Sequence, residues 1–287
     1  MKNKVKLFLS TLLAIAFIVW IAIFSGGKAD SDKLQIYFLD IGQGDSEYIK
    51  MPDGKDILID GGPGDQVLNE LGKVMDFGDR YIDLVVLTHP HADHITGLLE
   101  VIKRYKINEV WETGVGYDSA TYDEWKKEIK QKNIPQKFVN SGEEKSFHNG
   151  QIKFLVLSPL SNLENQTVDN VNNVSIVTKL EDGKFTSLFL GDAEKSAQSK
   201  FLDKLSKTTI IKVGHHGSEN GTLEDVLKIT RPAIAVISVG ENNKFNHPSS
   251  KTINLLKSYI LRIYRTDQNG TVEISSDGAS YSVRSAK

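Results

Sequence analysis

Ile82-Asp83-Leu84-Val85-Val86-Leu87-Thr88-His89-Pro90-His91-Ala92-Asp93-His94-Ile95 decides how this chain is read. The first half is short, β-branched and apolar, which predicts a buried strand. Beyond it Ile95, Leu98, Leu99 and Ile102 recur at helical spacing, so the polar residues between occupy a strand-to-helix turn. That turn carries three imidazoles and a carboxylate within six positions. His89 and His91, two apart in an extended segment, can point the same way. Asp93 and His94, adjacent at the entry to the helix, can face a second position close by. One turn can thus supply halves of two neighbouring metal sites. Imidazole plus carboxylate, in a chain with no cysteine, suits zinc and admits manganese or iron.

Working outward, strands and helices alternate. Residues 34–41 read as a strand ending in the tight loop Gly42-Gln43-Gly44-Asp45-Ser46, and residues 47–50 and 56–59 as a hairpin around Pro52-Asp53-Gly54, closed by Asp60-Gly61-Gly62. A helix is expected near 66–75, another near 93–105, a strand at 109–111 and a polar helix at 122–132. Strands follow at 151–157, 174–180 and 186–190. The last ends in Gly191-Asp192-Ala193-Glu194, from which a helix is expected to run to about Leu205. Residues 209–213 form a strand ending at Gly214-His215-His216-Gly217-Ser218, with further strands at 234–239, 261–264 and 271–274. This is an α/β pattern in two similar halves, with no low-complexity break after residue 33.

Six of the seven histidines fall in three places, each just beyond an expected strand: His89, His91 and His94; His215 and His216; and His247. Strand ends in layered α/β folds bring sequence-distant loops to one rim. Asp192 ends its own strand there. Alone it would serve as a helix N-cap, but a carboxylate has two oxygens and can bridge two metals. The expected ligand set is His89, His91 and Asp192 on one metal, and Asp93, His94, Asp192 and a histidine of the 215–216 pair on the other. Two adjacent histidines in an extended segment point apart, so His216 is assigned as ligand and His215 to the substrate or to the support of a ligand. His247 is placed at the cleft rim. His148, in Phe147-His148-Asn149-Gly150, reads as turn chemistry.

The balance of 35 basic and 37 acidic residues over 287 leaves a formal charge of −2, which selects no class of partner. The N-terminus is more informative. Lys2, Lys4 and Lys6 precede an uncharged, mostly apolar run from Leu7 to Phe24. As a helix at about 1.5 Å per residue it approaches the ~30 Å hydrocarbon core. It exceeds an ordinary signal-peptide core and lacks a small-x-small cleavage site. Residues 1–26 are therefore expected to be an uncleaved membrane anchor, with secretion after signal cleavage as the alternative. Residues 27–33 are a linker and 34–287 one catalytic domain. The lysines should stay cytoplasmic, which puts that domain outside.

The motif His89-x-His91-x-Asp93-His94 resembles the metal signature of the metallo-β-lactamase fold superfamily. Phe38-Leu39-Asp40-Ile41-Gly42-Gln43-Gly44-Asp45-Ser46, Leu58-Ile59-Asp60-Gly61-Gly62, Asn172-Asn173-Val174-Ser175, Leu190-Gly191-Asp192, Lys212-Val213-Gly214-His215-His216-Gly217-Ser218 and Thr266-Asp267-Gln268-Asn269-Gly270 are similar, in that order, to the extracytoplasmic hydrolase domain of ComEC-type DNA-internalisation competence proteins. The resemblance covers residues 34–276. It implies a four-layer αβ/βα sandwich of two packed sheets with outer helices, following the N-terminal apolar helix, and two divalent metal ions, zinc or manganese. With a single apolar segment, the sequence is expected to lack the polytopic transport channel of those proteins. Many superfamily members place a third histidine on the first metal between the cluster and the bridging aspartate. That stretch here offers Asn172 and Asn173 apart from His148.

The function expected is an extracytoplasmic, metal-dependent phosphodiesterase acting on DNA through a metal-activated water. Asp93, His215 and His247 are its catalytic candidates, Asp40 and Asp60 orient ligands, and Gln43 and Asn173 line the cleft. Alternatives are esterolysis of choline-phosphate or teichoic-acid phosphoesters at the cell wall, and a non-catalytic DNA-binding module. In the latter, Lys195, Lys200, Lys204, Lys207 and Lys212 would grip phosphate.

Overall fold

A computed structural model describes residues 2–25, 32–260 and 262–287. The linker expected at 27–33 lies, up to residue 31, outside the described residues, as does Leu261 at the start of an expected strand. A helix runs over Lys2–Ser25. Its side chains Phe8, Leu9, Leu12, Leu13, Ile15, Phe17 and Ile18 are exposed. Among the described residues, no helix is long and apolar enough to cross a membrane.

Two sheets face each other. The eight-stranded sheet has the spatial order Tyr281–Ser285, Val272–Ser276, Leu34–Phe38, Glu47–Lys50, Asp56–Ile59, Leu84–Val86, Val110–Glu112, Gln136–Phe138. The seven-stranded sheet runs Arg262–Arg265, Ile234–Ile237, Ile210–Lys212, Phe185–Phe189, Val177–Asp182, Ile152–Ser158, Glu144–Phe147. Side chains alternate faces along each strand. Ile57, Ile59, Leu84 and Val86 enter the core between the sheets, while Leu58, Val85 and Leu87 face outward under helices. Both faces are covered, so these strands read as continuous apolar runs and not as alternating ones. Phe38 stacks on Phe189 at 6.1 Å and Trp111 lies 6.2 Å from Phe154, tying one sheet to the other.

The outer layers are helical. Gln66–Val74, Ala92–Arg104 and Ala120–Lys132 cover the first sheet, and Glu224–Thr230 and Ser250–Tyr259 the second. The last two helices and the strands at 136–138, 144–147 and 281–285 are additions to the elements read from sequence. The helix expected from Glu194 to Leu205 is broken into a single turn, Lys195–Gln198, and a 3-10 turn at Leu202–Lys204. Gln198 explains the break. Its buried side-chain amide donates to the carbonyls of Ala193 (2.6 Å) and Gly221 (2.9 Å) and accepts from Leu223 N (2.8 Å), pinning this segment to the loop after Gly217.

The strands 56–59, 84–86 and 110–112 are mutually parallel, as are 185–189, 210–212 and 234–237. Their carboxyl ends carry Asp60, His89, Asp192, His215 and the loop from Ser238 to Pro248. The Ala92–Arg104 helix sits hard against Asp60-Gly61-Gly62. A Cβ on Gly97 would lie 1.8 Å from the Gly61 carbonyl oxygen. Gly97→Ala must therefore push the helix off the turn, and a loss of about 3 kcal/mol in denaturant unfolding is expected; an unchanged midpoint would contradict this close approach.

Candidate metal centre

The site is built around one oxygen. Asp192 Oδ2 lies 3.4 Å from His94 Nε2, 3.6 Å from His216 Nε2, 3.7 Å from His215 Nε2 and 3.8 Å from His89 Nε2. Asp93 Oδ2 closes the group, 3.3 Å from His216 Nε2. Asp93, His94, Asp192 and His216 offer ligand atoms that all fall within 4.8 Å of one another, the set expected for one metal. On the other side His89 Nε2 and His91 Nδ1, assigned to the second metal, are 3.1 Å apart.

Three of the imidazoles are aimed by a partner on the far nitrogen. His94 Nδ1 meets Asp60 Oδ2 at 2.7 Å, and His216 Nδ1 lies 3.0 Å from the Ser238 carbonyl oxygen and 3.1 Å from Asp45 Oδ1. His89 Nδ1 lies 3.1 Å from Thr88 Oγ1 and 3.4 Å from Ser175 Oγ. Thr88 is itself locked on Asp60 through its N–H (2.8 Å) and hydroxyl (2.6 Å). The ring atoms turned inward, His94 Nε2 and His216 Nε2, are buried with no hydrogen-bond partner among the described residues, and so is Asp192 Oδ1. Buried polar atoms are almost always satisfied. Oriented nitrogens and carboxylate oxygens left open towards one point are the donor set that a divalent cation takes.

The electrostatics point the same way. Burial raises the Asp192 carboxyl, but His216 and His94 outweigh it and hold it well below the usual range. Burial lowers His94, yet Asp192 and Asp60 hold it well above the ordinary imidazole value, and the same contest, with Asp192 and Asp45, pushes His216 up to about 10. His89 is held well below its ordinary value by burial and by the charge on His94. Carboxylates at this depth demand positive charge between them, from protons or from a metal.

The pair at 215–216 corrects the expectation of an extended segment. Both residues take left-handed backbone, φ 48° and 52°, inside a tight turn over Gly214–Gly217. Adjacent side chains that an extended strand would separate therefore both turn their Nε2 to Asp192. His216 is buried, and His215 remains partly open to solvent. Such strain persists only where its surroundings impose it. Gly214 and Gly221 supply that constraint: a Cβ on either would lie within 2.4 Å of the other's carbonyl oxygen.

Other expected residues are placed as follows. Asp60 orients His94, as described. Gln43 accepts from Gly240 N (3.1 Å) and braces the loop beyond Ile237. His247 lies beside His215, ring centroids 5.8 Å apart. Asp40 is not brought to the cluster: its carboxylate turns outward to Lys287 at 3.3 Å. Asn173 turns to Ser196 (3.0 Å), and the Asn172 side-chain oxygen is buried without a partner among the described residues. Lys212 does not join a phosphate-binding row. It is fully buried and its ammonium donates to the Asp45 carboxylate.

Three contributors were missed at the level of sequence. Asp45 and Lys212 brace His216 from below, and Tyr117 packs its ring edge on His91 at 5.6 Å. The position of Asp45, directly after Gly44 in the tight loop, was a visible signal. Nothing local marks Tyr117. Because Asp60 holds a ligand ring and a ligand-bearing turn together, Asp60→Asn is expected to weaken divalent-metal affinity about 10–100-fold with the fold retained, as read by titration against a chromophoric chelator.

Residues 39–241 match the Metallo-beta-lactamase superfamily, and the chain belongs to that family of metal-dependent hydrolases. Within it, the chain is similar to ComEC-type competence proteins. It is 29% identical over 265 residues to ComE operon protein 3 of Bacillus subtilis, covering 85% of this chain and 33% of that protein. It is 28% identical over 245 residues to Recombination protein 2 of Haemophilus influenzae, covering 84% and 29%. The chain thus spans about a third of the length of these relatives. A metal-dependent hydrolase structure from Parabacteroides distasonis aligns with TM-score 0.49 at 15% identity, over 82% of this chain and 94% of that one.

Proposed function

We propose that this chain is a phosphodiesterase that cleaves DNA with two divalent cations, zinc or manganese, held outside the cytoplasmic membrane by its N-terminal segment, residues 1–26. The observation that carries the reading is the ring of four imidazole nitrogens within 3.8 Å of Asp192 Oδ2. Similarity to competence proteins favours DNA as the substrate. The tether rests on Lys2, Lys4 and Lys6 ahead of an apolar run, and on the exposed apolar side chains of that segment.

His89, His91 and Asp192 would hold one cation, and Asp93, His94, Asp192 and His216 the other. Cations bound there would supply a Lewis acid and a water activated near neutral pH. Asp192 would serve both positions. Asp60, Ser238 and Thr88 keep the rings from rotating. His215, on the open side, would hold a proton at Nε2 for the departing oxygen. Burial and the charges on His215 and His216 hold His247 below its ordinary value, so a neutral ring lines the cleft beside it.

The test is turnover of single- and double-stranded DNA by the detergent-solubilised full chain, with metal content measured on protein purified without chelator. Metal-dependent cleavage is expected. Turnover of other phosphodiesters with none of DNA would overturn the substrate assignment, and recovery of the chain in the soluble fraction of cells would overturn the tether.

A further inference from the structure

The loop after the Ile234–Ile237 strand carries an aromatic that ligand geometry does not call for. Phe245 is 51% exposed, yet it is not loosely placed. Its ring stacks on His247, centroids 5.8 Å apart and planes 20° from parallel, and His247 in turn meets His215, whose Nε2 faces Asp192. The Lys244 ammonium sits 5.1 Å from the Phe245 ring centroid. A continuous row of rings therefore leads from the bridging carboxylate out to a cation at the rim.

The loop is built stiff. The Asn243 side chain donates to the carbonyls of Gly240 (3.0 Å) and His247 (2.7 Å) and accepts from the N–H groups of Phe245 (3.2 Å) and His247 (3.0 Å). Asn242 and Asn246 take left-handed backbone, φ 53° and 56°, which asparagine tolerates. Gly240 anchors the base of the loop: a Cβ there would lie 2.6 Å from Gln43 N. The aromatic face is thus held in position before any ligand arrives, which lowers the ordering cost of binding.

We infer that Phe245 is a stacking platform for a nucleobase next to the scissile phosphodiester, with Lys244 meeting the neighbouring phosphate. This rests on the phosphodiesterase reading above and narrows its substrate to strands with unpaired bases. An aromatic face beside a lysine is the pairing by which single strands are held, since every base offers a π-face and every linkage an anion. A bare aromatic would equally suit a quaternary ammonium. The Lys244 charge over this ring disfavours such a cation, and with it a choline ester.

The test compares a labelled oligothymidylate with an abasic strand carrying the same number of phosphates. Binding to the full chain is read by fluorescence anisotropy in chelator, and turnover with manganese. Wild type should hold the base-bearing strand about 10–100-fold more tightly. Phe245→Ala should erase that preference without weakening the abasic strand, Phe245→Trp should restore it, and Lys244→Gln should weaken both strands alike and lessen the salt dependence. Equal binding of the two strands by wild type, an equal loss on both in Phe245→Ala, or no rescue by tryptophan would overturn the platform. If the binding preference appears but manganese supports no cleavage, the phosphodiesterase reading fails and the platform stands. Cleavage with a preference unaltered in Phe245→Ala means the reverse.

Discussion

Asp192→Ala is expected to abolish metal retention and to lower hydrolysis by at least about 10³-fold, more than loss of a single stabilising donor usually costs. The reason is geometric. Four imidazole nitrogens surround one carboxylate oxygen, so alanine there removes the group on which they converge and leaves the imidazoles facing one another. Metal analysis after gel filtration should fall to background, while circular dichroism stays close to wild type because the surrounding turns are held by their own backbone bonds. Metal uptake by wild type should also release protons, since a cation would displace the one on His216. The variant has a pH signature in chelator. His216 is raised from 6.5 to about 10 in the folded protein by Asp192 and Asp45 against the cost of burial. A raised pKa contributes stability in full below the unfolded value and loses it as pH climbs through the folded one. The thermal advantage of wild type over Asp192→Ala should therefore be large near pH 6 and shrink towards pH 10. A constant difference across that range would refute the pairing.

Lys212→Met is expected to destabilise the protein by about 3–5 kcal/mol, the cost of breaking one partner out of a buried ion pair. For a domain of this size that is a fall of roughly 6–20 °C in Tm. Lys212 is fully buried and its ammonium donates to Asp45, 167 positions away in sequence. Burial raises the neighbouring Glu47 carboxyl well above its ordinary value, with Asp45 adding to the effect, so Glu47 competes less with Asp45 for the lysine's charge. Without the lysine, Asp45 would keep only the His216 ring, 3.1 Å away, as a counter-charge in the core. Asp45→Asn in the same chain should recover much of the loss, because removing both charges leaves none uncompensated. Equal melting of the single and double variants would show that the pair is not what the stability rests on.

The particulars of sequence and structure diverge where local pattern stops carrying information. The hairpin at 47–50 and 56–59 and the Ala92–Arg104 helix follow directly from turn chemistry and periodicity, and the structure has them within a residue of expectation. The helix expected to reach Leu205 does not form, because the buried Gln198 amide binds backbone of a loop that no local window contains. Lys212 looked like one more surface lysine in a basic run. Its environment is set by Asp45 from the opposite sheet, and charge alone does not reveal burial.

The residue types of the site, their position beyond apolar strands and the choice of nitrogen and oxygen ligands were all determined by the sequence. Those properties depend on short-range pattern, which a chain carries in every window. Tertiary structure alone decided that His215 and His216 converge instead of diverging, that Asp40 is turned away, and that Phe245 stands at the rim of the same cleft. These outcomes depend on how two sheets bring strand ends together and on left-handed backbone that neighbouring glycines impose, and both are set by packing between segments far apart in the chain.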